Sequence, residues 1–423
     1  MQQASFGGMH RARYQIVLGW ILAVAIPGLI TRFLTGTPIG DSTQYTTIVG
    51  ATISLVAGVF AFRRLHIFPG ITAGGYVVMS ITTTFAILTT LLILLRLDYS
   101  RVLLSVIYVI TVVFFTLAHL VFDRRRKYVM GVIPGGQTAR LPSLHYVDWF
   151  EMPSPDTLVP ALDGVVVDLR FDHDPRWDSR ITQLVLRGTP VYDVKQAVEQ
   201  MTGRVEVSHL SENTLGSLNP NDVYLQIKAV ADVVAAFLLL IFLMPVLVLI
   251  AVLVRLDSPG PALFRQRRTG YRGKPFVAYK FRTMYVVDPV ADDAEEMRRR
   301  AMTQENDPRI TRIGLFLRRS RLDELPQLIN MLKGEMSLIG PRPEAVELTK
   351  WYESEIAFYH YRHIIKPGVT GWAQINLGHV VYVDQVKEKL HLDFYYVKNF
   401  SFWLDLLIVV RTIQTMVTGR GAR

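Results

Sequence analysis

Long apolar runs constrain this chain more than any other feature of its sequence. Four of them occupy the first third: Tyr14–Phe33, Thr46–Phe62, Ala73–Leu95 and Val102–Phe122. Each is close to the ~20 residues that an α-helix needs to cross a bilayer. Few charges interrupt the runs, which argues against a buried helix bundle in a soluble protein. We therefore expect a membrane protein with a unit of four transmembrane helices over residues 1–127.

The charges in the connections predict how this unit is oriented. Basic residues lie before the first run, between the second and third, and after the fourth: Arg11, Arg13, Arg63, Arg64 and Arg124–Lys127. The connection Thr35–Tyr45 carries only Asp41, whereas the short loop Arg96–Arg101 contains two arginines and weakly opposes the pattern. Because lysine and arginine favour the cytoplasmic side, both ends of the unit are expected there. This predicts a multi-pass membrane protein.

Residues 128–225 differ in composition from the rest of the chain, with 7 basic and 13 acidic residues. Val165–Leu169 is typical of a buried strand, and Ile181–Leu186 of a helix that leads to a strand at Pro190–Tyr192. Such alternation predicts a small Rossmann-like α/β domain with a parallel sheet. The start, Tyr128–Gly136, indicates a strand and a glycine turn, but the GxGxxG spacing of a dinucleotide site is missing. We expect a structural or regulatory role for this domain.

The fifth apolar run, Ala229–Val254, is long enough to span a bilayer but contains Pro245 near its middle. Proline removes a helix hydrogen bond and kinks the helix, and basic residues flank both ends. These features fit a re-entrant membrane helix that is broken at Pro245 and returns to the same side. A proline-kinked full span is equally compatible with the run itself.

An acidic pair, Asp323 and Glu324, stands just before Pro326. Proline is tolerated only in the first turn of a helix, so both carboxylates should lie at a helix N-terminus, which favours anions. Arg318 and Arg321 lie immediately upstream. The pair is either an ordinary acidic cap, or a nucleophile with a neighbour that helps to hold a divalent metal.

The surrounding motifs distinguish these alternatives. Lys280-Phe281-Arg282-Thr283-Met284, Gly340-Pro341-Arg342-Pro343-Glu344 and Lys366-Pro367-Gly368-Val369-Thr370-Gly371-Trp372-Ala373-Gln374 follow one another around the acidic pair. In this order and spacing, over roughly Tyr224–Arg423, the sequence resembles the bacterial sugar transferase family. These enzymes are polyprenyl-phosphate hexose-1-phosphate transferases that begin exopolysaccharide, O-antigen or capsule synthesis. The front end is similar to the large, multi-domain branch of that family.

The resemblance implies a fold and a set of roles for the chain. Residues 226–423 would form a mainly α-helical monotopic catalytic domain on the cytoplasmic face, with a re-entrant helix at 229–254. Asp323 would be the nucleophile that forms a covalent phosphosugar intermediate, and Glu324 would assist with Mg²⁺. The donor would be a UDP-sugar and the acceptor polyprenyl phosphate. The expected substrate-binding residues are Lys280, Arg282, Thr283, Arg318, Arg321, Arg342 and Glu344.

Other readings of the sequence differ in chemistry or in class. One is a one-step transfer in which Asp323 acts as a base, and another is a membrane-anchored scaffold without catalysis. Residues 255–423 contain 27 lysines and arginines against 19 acidic residues, but no nucleic-acid recognition module is visible. We expect membrane lipid and phosphorylated substrates as partners, no nucleic acid, and a possible homodimer. The chain has no cysteine, which excludes disulfides and thiolate catalysis.

Overall fold

The computed structural model describes residues 12–36, 38, 41–65, 74–122, 127–206, 222–286, 307–377 and 383–418. The chain divides into two compact units, Met1–Gly203 and Arg204–Arg423. The first contains apolar helices and a small parallel sheet, and the second contains one very long helix and the candidate site.

All four predicted runs of the first unit are helical. The helices are α1 (Ala12–Trp20), which continues through a π-helical turn at Ile21–Ala25 into α2 (Ile26–Thr35), α3 (Ser42–Leu65), α4 (Gly74–Leu94) and α5 (Arg101–Phe122). Leu55, Ile81 and Ile107 are fully or almost fully buried where these helices pack together. Apolar side chains on their outer faces remain exposed, as at Phe33 and Val102. With the long helix of the second unit, five helices in the described residues are long and apolar enough to cross a membrane.

The sheet of the first unit is parallel, as the sequence predicts. Its strands are β1 (Tyr128–Val132), β2 (Val147–Glu151), β3 (Gly164–Val167) and β4 (Val191–Asp193), in the order β2-β1-β3-β4. The accompanying helices are α6 (Arg176–Leu186) and α7 (Val194–Thr202). Strand β3 is buried along its whole length, which explains why its sequence is a continuous valine run.

The strand order reverses between β1 and β3, where α/β folds bind ligands at the carboxyl ends of their strands. A side chain of the protein itself occupies this position. Gln137 N donates to Asp168 Oδ2 at 2.8 Å, and Arg170 N donates to Oδ1 of the same carboxylate at 3.1 Å. A Cβ atom at Gly136 would lie 2.3 Å from Asp168 Oδ2. The backbone N–H that would face a phosphate therefore binds Asp168, which supports a structural role for the glycine turn.

Helix α8 (Asp222–Asp257) belongs to the second unit and has 36 residues. It is helical through Pro245, without the interruption that a broken helix would show. Proline removes only one N–H donor, and helices in apolar surroundings accommodate it by local adjustment. Re-entry into the membrane at Pro245 remains a prediction.

The rest of the unit is mainly helical, as expected. Its described residues also form two small sheets. Strands β5 (Leu263–Thr269) and β6 (Pro275–Phe281) form an antiparallel hairpin, and β7 (Ser337–Ile339) pairs in parallel with β8 (Gly368–Thr370). The helices are α9 (Arg312–Arg319), α10 (Leu328–Leu332), α11 (Val346–Glu355), α12 (Trp372–Leu377), α13 (Val383–Lys398) and α14 (Phe402–Thr418), with a 3₁₀ helix at Leu322–Gln327. Asn330 on α10 is fully buried and ties this helix to β6, accepting from Tyr279 N and donating to Val277 O.

Candidate active site

The acidic pair begins a helical segment, as Pro326 predicts. Asp323 and Glu324 lie in the first turn of the 3₁₀ helix Leu322–Gln327, and Arg321 before it adopts a left-handed conformation with φ of 60°. The segment is a short 3₁₀ turn followed by the short helix α10. Because so few peptide units are aligned, the dipole of the segment is small. The helix terminus therefore contributes less to anion binding than we expected, and charged side chains from other elements contribute more.

Two cations from distant parts of the chain hold Glu324. Arg342 Nη2 and Lys280 Nζ lie 2.7 Å and 3.2 Å from the same oxygen, Glu324 Oε1. Burial raises the pKa of the Glu324 carboxyl, but Arg342 and Lys280 outweigh burial and bring the pKa below its usual range. Burial also lowers the pKa of Lys280 to about 8, against the opposing effect of Glu324. Glu324 is thus a fixed, ionised carboxylate.

Asp323 has a different environment from its neighbour. The Asp323 side chain is largely buried, and its carboxylate makes no hydrogen bond or ion pair within the described ranges. Burial and the adjacent Glu324 raise the pKa of Asp323, while Lys280, Arg342 and Arg318 oppose the rise. A carboxylate with a raised pKa is more basic and, where it is not tied up in an ion pair, a better nucleophile.

Arg318 reaches the acidic pair from α9 with the help of Thr283. Arg318 Nε donates to Thr283 Oγ1 at 3.0 Å, and the Thr283 side chain is buried. Arg318 and Arg321 are close enough to the pair for their charges to lower the pKa of Asp323 and Glu324, respectively. The structure therefore brings the predicted residues Arg318 and Arg321 to the site, and Thr283 orients Arg318.

Arg282 binds the end of α8, and its expected role in substrate binding stays a prediction. Its guanidinium Nη2 donates to Ser258 O at 2.6 Å and Oγ at 2.9 Å, and Nη1 donates to Pro259 O at 3.0 Å. A weaker contact of 3.3 Å reaches Val254 O. The last carbonyls of a helix lack partners within the helix, and Arg282 satisfies those at the end of α8. These contacts are structural, although Arg282 belongs to the same motif as Lys280.

Glu344 is close enough to Arg342 for its charge to raise the pKa of that guanidinium, but it is held by other cations. Lys389 Nζ is hydrogen-bonded to Glu344 Oε1. Burial raises the pKa of Glu344, but Lys389 and Arg362 outweigh burial and bring the pKa below its usual range. With its charge already compensated by Lys389, Glu344 stabilises the loop that carries Arg342.

Two arginines that the sequence analysis did not single out for the site hold this loop by its backbone. Arg268 Nη1 donates to Pro343 O at 2.5 Å, and Arg362 Nη2 donates to Arg342 O at 2.9 Å. Arg362 is 2% exposed and forms an ion pair of 2.7 Å with Asp393. Burial lowers the pKa of Arg268 to about 10, as does the nearby charge of Arg342. Arg268 and Arg362 are far from this loop in the sequence, so no motif spacing indicates that they bind its backbone.

The site fits Mg²⁺ only in part. Within the described residues, no group of three or more histidine, aspartate or glutamate side chains could hold a metal ion. One oxygen of Glu324 is engaged by two cations, whereas the Asp323 carboxylate has no ion-pair partner in the described part of the chain. Mg²⁺ usually binds one or two carboxylates together with substrate phosphates and water, and the acidic pair suits that mode.

The arrangement as a whole is suited to a polyanionic substrate. The Asp323 carboxylate, which has no ion-pair partner among the described residues, lies near the cations Lys280, Arg318, Arg321 and Arg342, which exceed the charge of the two acids. Preorganised cations stabilise the charge that develops when a bond to phosphorus breaks. The geometry therefore supports nucleophilic attack by Asp323 on a phosphate ester or diphosphate.

Comparison with known proteins points to the same chemistry. The family model for the bacterial sugar transferase matches residues 223–419. The chain is 39% identical over 408 residues to the UDP-N-acetylgalactosamine-undecaprenyl-phosphate N-acetylgalactosaminephosphotransferase of Aeromonas hydrophila, which covers 96% of this chain and 95% of that protein.

Two further relatives match only about half of the chain. Both are UDP-glucose:undecaprenyl-phosphate glucose-1-phosphate transferases. The Xanthomonas campestris pv. campestris protein is 41% identical over 231 residues, 54% of this chain and 46% of that protein. The Escherichia coli (strain K12) protein is 42% identical over 229 residues, 53% of this chain and 46% of that protein.

Proposed function

Because the chain belongs to the bacterial sugar transferase family and is an undecaprenyl-phosphate sugar phosphotransferase in kind, we propose that it transfers a sugar 1-phosphate from a UDP-sugar to undecaprenyl phosphate. The products are undecaprenyl-diphosphate-sugar and UMP. The observation that carries the proposal is the contrast within the acidic pair. Asp323 forms no ion pair with any residue that the structure describes, while Glu324 is held by Lys280 and Arg342.

The first half of the reaction uses Asp323 as a nucleophile. A carboxylate oxygen of Asp323 attacks the phosphorus that bears the sugar, and the bond from that phosphorus to the UMP oxygen breaks. UMP leaves as an anion, since a phosphate leaving group needs no full proton transfer at neutral pH. Asp323 then carries the sugar phosphate as an acyl phosphate.

The second half regenerates the enzyme. A phosphate oxygen of undecaprenyl phosphate attacks the same phosphorus, and the bond to Asp323 breaks to release the carboxylate. Lys280 and Arg342 hold Glu324 throughout, and together with Arg318 they stabilise the equatorial oxygens of the phosphoryl group. Mg²⁺, bound by a carboxylate of the pair and by donor oxygens, would neutralise the charge of the diphosphate.

Contacts along α8 support a catalytic domain that lies on one side of the membrane. Near the start of the helix, Lys228 Nζ lies 2.8 Å from Asp405 Oδ2, and Asp232 Oδ1 accepts from Leu338 N at 3.1 Å. At the end, Arg282 binds the carbonyl of Ser258. A water-soluble domain cannot contact both ends of a helix whose ends lie in different compartments.

The middle of α8 also packs on this domain. Ala236 and Leu240 contact the cluster that contains Met331 of α10, while Ile250 and Val254 contact the cluster around Leu317 of α9. The remaining faces of the helix are largely apolar and exposed, and only 11% of an 18-residue apolar stretch within it is buried. We propose that α8 enters the cytoplasmic leaflet of the inner membrane and returns to the same side, with a proline kink at Pro245 that changes the direction of the continuous helix.

We propose UDP-N-acetylgalactosamine as the donor, with UDP-glucose as the alternative. The Aeromonas relative, whose name specifies N-acetylgalactosamine, matches this chain over almost its whole length. The relatives whose names specify glucose match only about half of it. A product of this type would begin a bacterial surface polysaccharide.

The proposal is tested with the full-length protein in lipid nanodiscs. Release of UMP and formation of the lipid product are measured with UDP-N-acetylgalactosamine, UDP-glucose, UDP-N-acetylglucosamine and UDP-galactose, with undecaprenyl phosphate as acceptor. We expect turnover with UDP-N-acetylgalactosamine above the others. No turnover with any of these donors would contradict the proposed function.

A second measurement tests the covalent step. The protein is mixed with radiolabelled donor without acceptor and quenched rapidly, and the adduct is located by mass spectrometry. We expect a sugar phosphate on Asp323, its absence in Asp323→Asn, and its presence in Glu353→Gln, which alters an exposed carboxylate of α11. Normal turnover without any adduct would favour direct transfer, with Asp323 as a base.

A further inference from the structure

The second unit contains a cleft of about 160 Å³ that none of the proposed catalytic residues lines. It lies against the first turns of α8, and its walls include Leu225, Lys228, Ala229, Asp232 and Lys366. The cleft therefore needs an explanation of its own.

Two of the charged groups at the cleft are already satisfied by the protein. Lys228 forms its ion pair with Asp405, whose carboxylate also accepts from the hydroxyls of Tyr224 and Tyr396, each at 2.6 Å. Asp232 accepts from the backbone N–H of Leu338. These contacts make the wall at α8 a fixed structure.

Lys366 is the exception among the charged residues of the lining. Its side chain is half-buried, and its ammonium makes no hydrogen bond or ion pair with any part of the chain that the structure describes. An ammonium group has three donors and no acceptor, and a partly buried one is costly without a counter-ion. Lys366, which lines the cleft, therefore brings a positive charge that has no counter-ion among the described residues.

The other walls of the cleft are apolar and adjoin a surface suited to lipid. Leu225, Ala229 and Phe400 line it. On α8 beside it, Ile227 and Val230 are 61% and 67% exposed, within a segment apolar enough to cross a membrane. A ligand that fits a cation, apolar walls and this location has an anionic end and a hydrocarbon part.

We propose that this cleft binds the phosphate end of a membrane lipid. The Lys366 ammonium binds the phosphate, and Leu225, Ala229 and Phe400 contact the first carbons of the chain. Two lipids share this chemistry: the acceptor undecaprenyl phosphate, which would be held near α8 before transfer, and an anionic phospholipid of the bilayer. The assignment to the acceptor rests on the proposed function, whereas the cleft itself does not.

The experiment measures lipid retained by the full-length protein, without turnover. The protein is placed in phosphatidylcholine nanodiscs that contain either undecaprenyl phosphate or phosphatidylglycerol, and bound lipid is counted by native mass spectrometry. We expect Lys366→Gln to weaken retention of one of these lipids about tenfold, the loss of one charge-assisted hydrogen bond. Lys366→Arg should restore retention, and Lys350→Gln, which alters an exposed lysine of α11, should leave it unchanged.

A second variant tests the cleft by shape. Ala229→Phe fills the cleft but keeps Lys366, and it should weaken retention of the same lipid as Lys366→Gln. If that lipid is undecaprenyl phosphate, the KM for this acceptor should rise in both variants while the KM for the UDP-sugar stays constant. If it is phosphatidylglycerol, the site belongs to a bilayer lipid. Retention of both lipids by both variants at the level of the unaltered protein would overturn the proposal.

Discussion

Arg342 donates a hydrogen bond of 2.7 Å to Glu324, 18 residues earlier in the chain. Arg342 is itself fixed, because its carbonyl accepts from the buried Arg362. This relationship joins the Gly-Pro-Arg-Pro loop to the acidic pair and keeps Glu324 ionised. Asp323 is thereby left as the carboxylate that is available to react.

Arg342→Ala should lower kcat/KM for the UDP-sugar by about 10²- to 10³-fold, because it removes a preorganised cation. Among the described residues, it also leaves the buried Glu324 with Lys280 as its remaining direct ion-pair partner. Steady-state kinetics in nanodiscs measure the effect. Arg319→Ala, which removes an exposed arginine of α9, is the control and should change kcat/KM less than about twofold. Equal losses in both variants would show that general positive charge, and not this contact, matters.

The pH dependence of the reaction should reveal Lys280. Burial lowers its pKa to about 8, so the ammonium loses its proton as the pH rises through this value. We expect kcat/KM, which reports the free enzyme, to fall above about pH 8. In Lys280→Arg the guanidinium stays protonated, and the alkaline fall should disappear even if activity is lower. An unchanged alkaline limb in Lys280→Arg would assign the titration to another group, and Lys350→Arg serves as the control.

Arg282→Ala should act on structure more than on substrate binding. It removes the donor to the carbonyls of Ser258 and Pro259 and the weaker contact to Val254 O, at a cost of about 3 kcal/mol for a buried charged donor. Hydrogen exchange of residues 254–260 should become faster, while the KM of the remaining active protein for the UDP-sugar stays within about twofold. A raised KM with unchanged exchange would restore the role in substrate binding that the motif suggests.

Gly136→Ala should destabilise the α/β domain more than Gly188→Ala. Both glycines have positive φ, 57° and 83°, so each substitution costs about 1 kcal/mol of backbone strain. At Gly136 the new Cβ would also collide with Asp168 Oδ2, whereas nothing lies within 4 Å at Gly188. Hydrogen exchange of residues 128–170 in the full-length protein measures the difference. Equal destabilisation would contradict the close approach of Asp168 to the glycine turn.

Membrane re-entry can be tested with single cysteines, since the chain has none of its own. Gln226→Cys and Lys274→Cys alter exposed residues on either side of the membrane segment of α8. An impermeant maleimide should label both only after cells are permeabilised. Pro38→Cys, in the connection predicted to lie outside, should be labelled in intact cells. Labelling of Lys274→Cys but not Gln226→Cys in intact cells would mean that α8 crosses the bilayer.

Local properties of the sequence were enough for much of the fold. Apolar runs predicted the helices α1 to α5 and α8, since each long run must bury or expose a continuous apolar surface. The valine run predicted β3, and Pro326 placed Asp323 and Glu324 in the first turn of a helix. In each case the signal lies within a few residues of the feature that it predicts.

The partners of the charged residues were decided only by the tertiary structure. Lys280 and Arg282 are two residues apart in one strand-end motif, yet Lys280 points to Glu324 and Arg282 to the end of α8. Arg268 and Arg362 hold the loop of Arg342 from 75 and 20 residues away. The sequence alone determines which cations are present, whereas the packing of distant elements determines which carbonyl or carboxylate each one meets. A buried charge is stable only beside such a partner. The fold therefore determines which of the many arginines and lysines form the site.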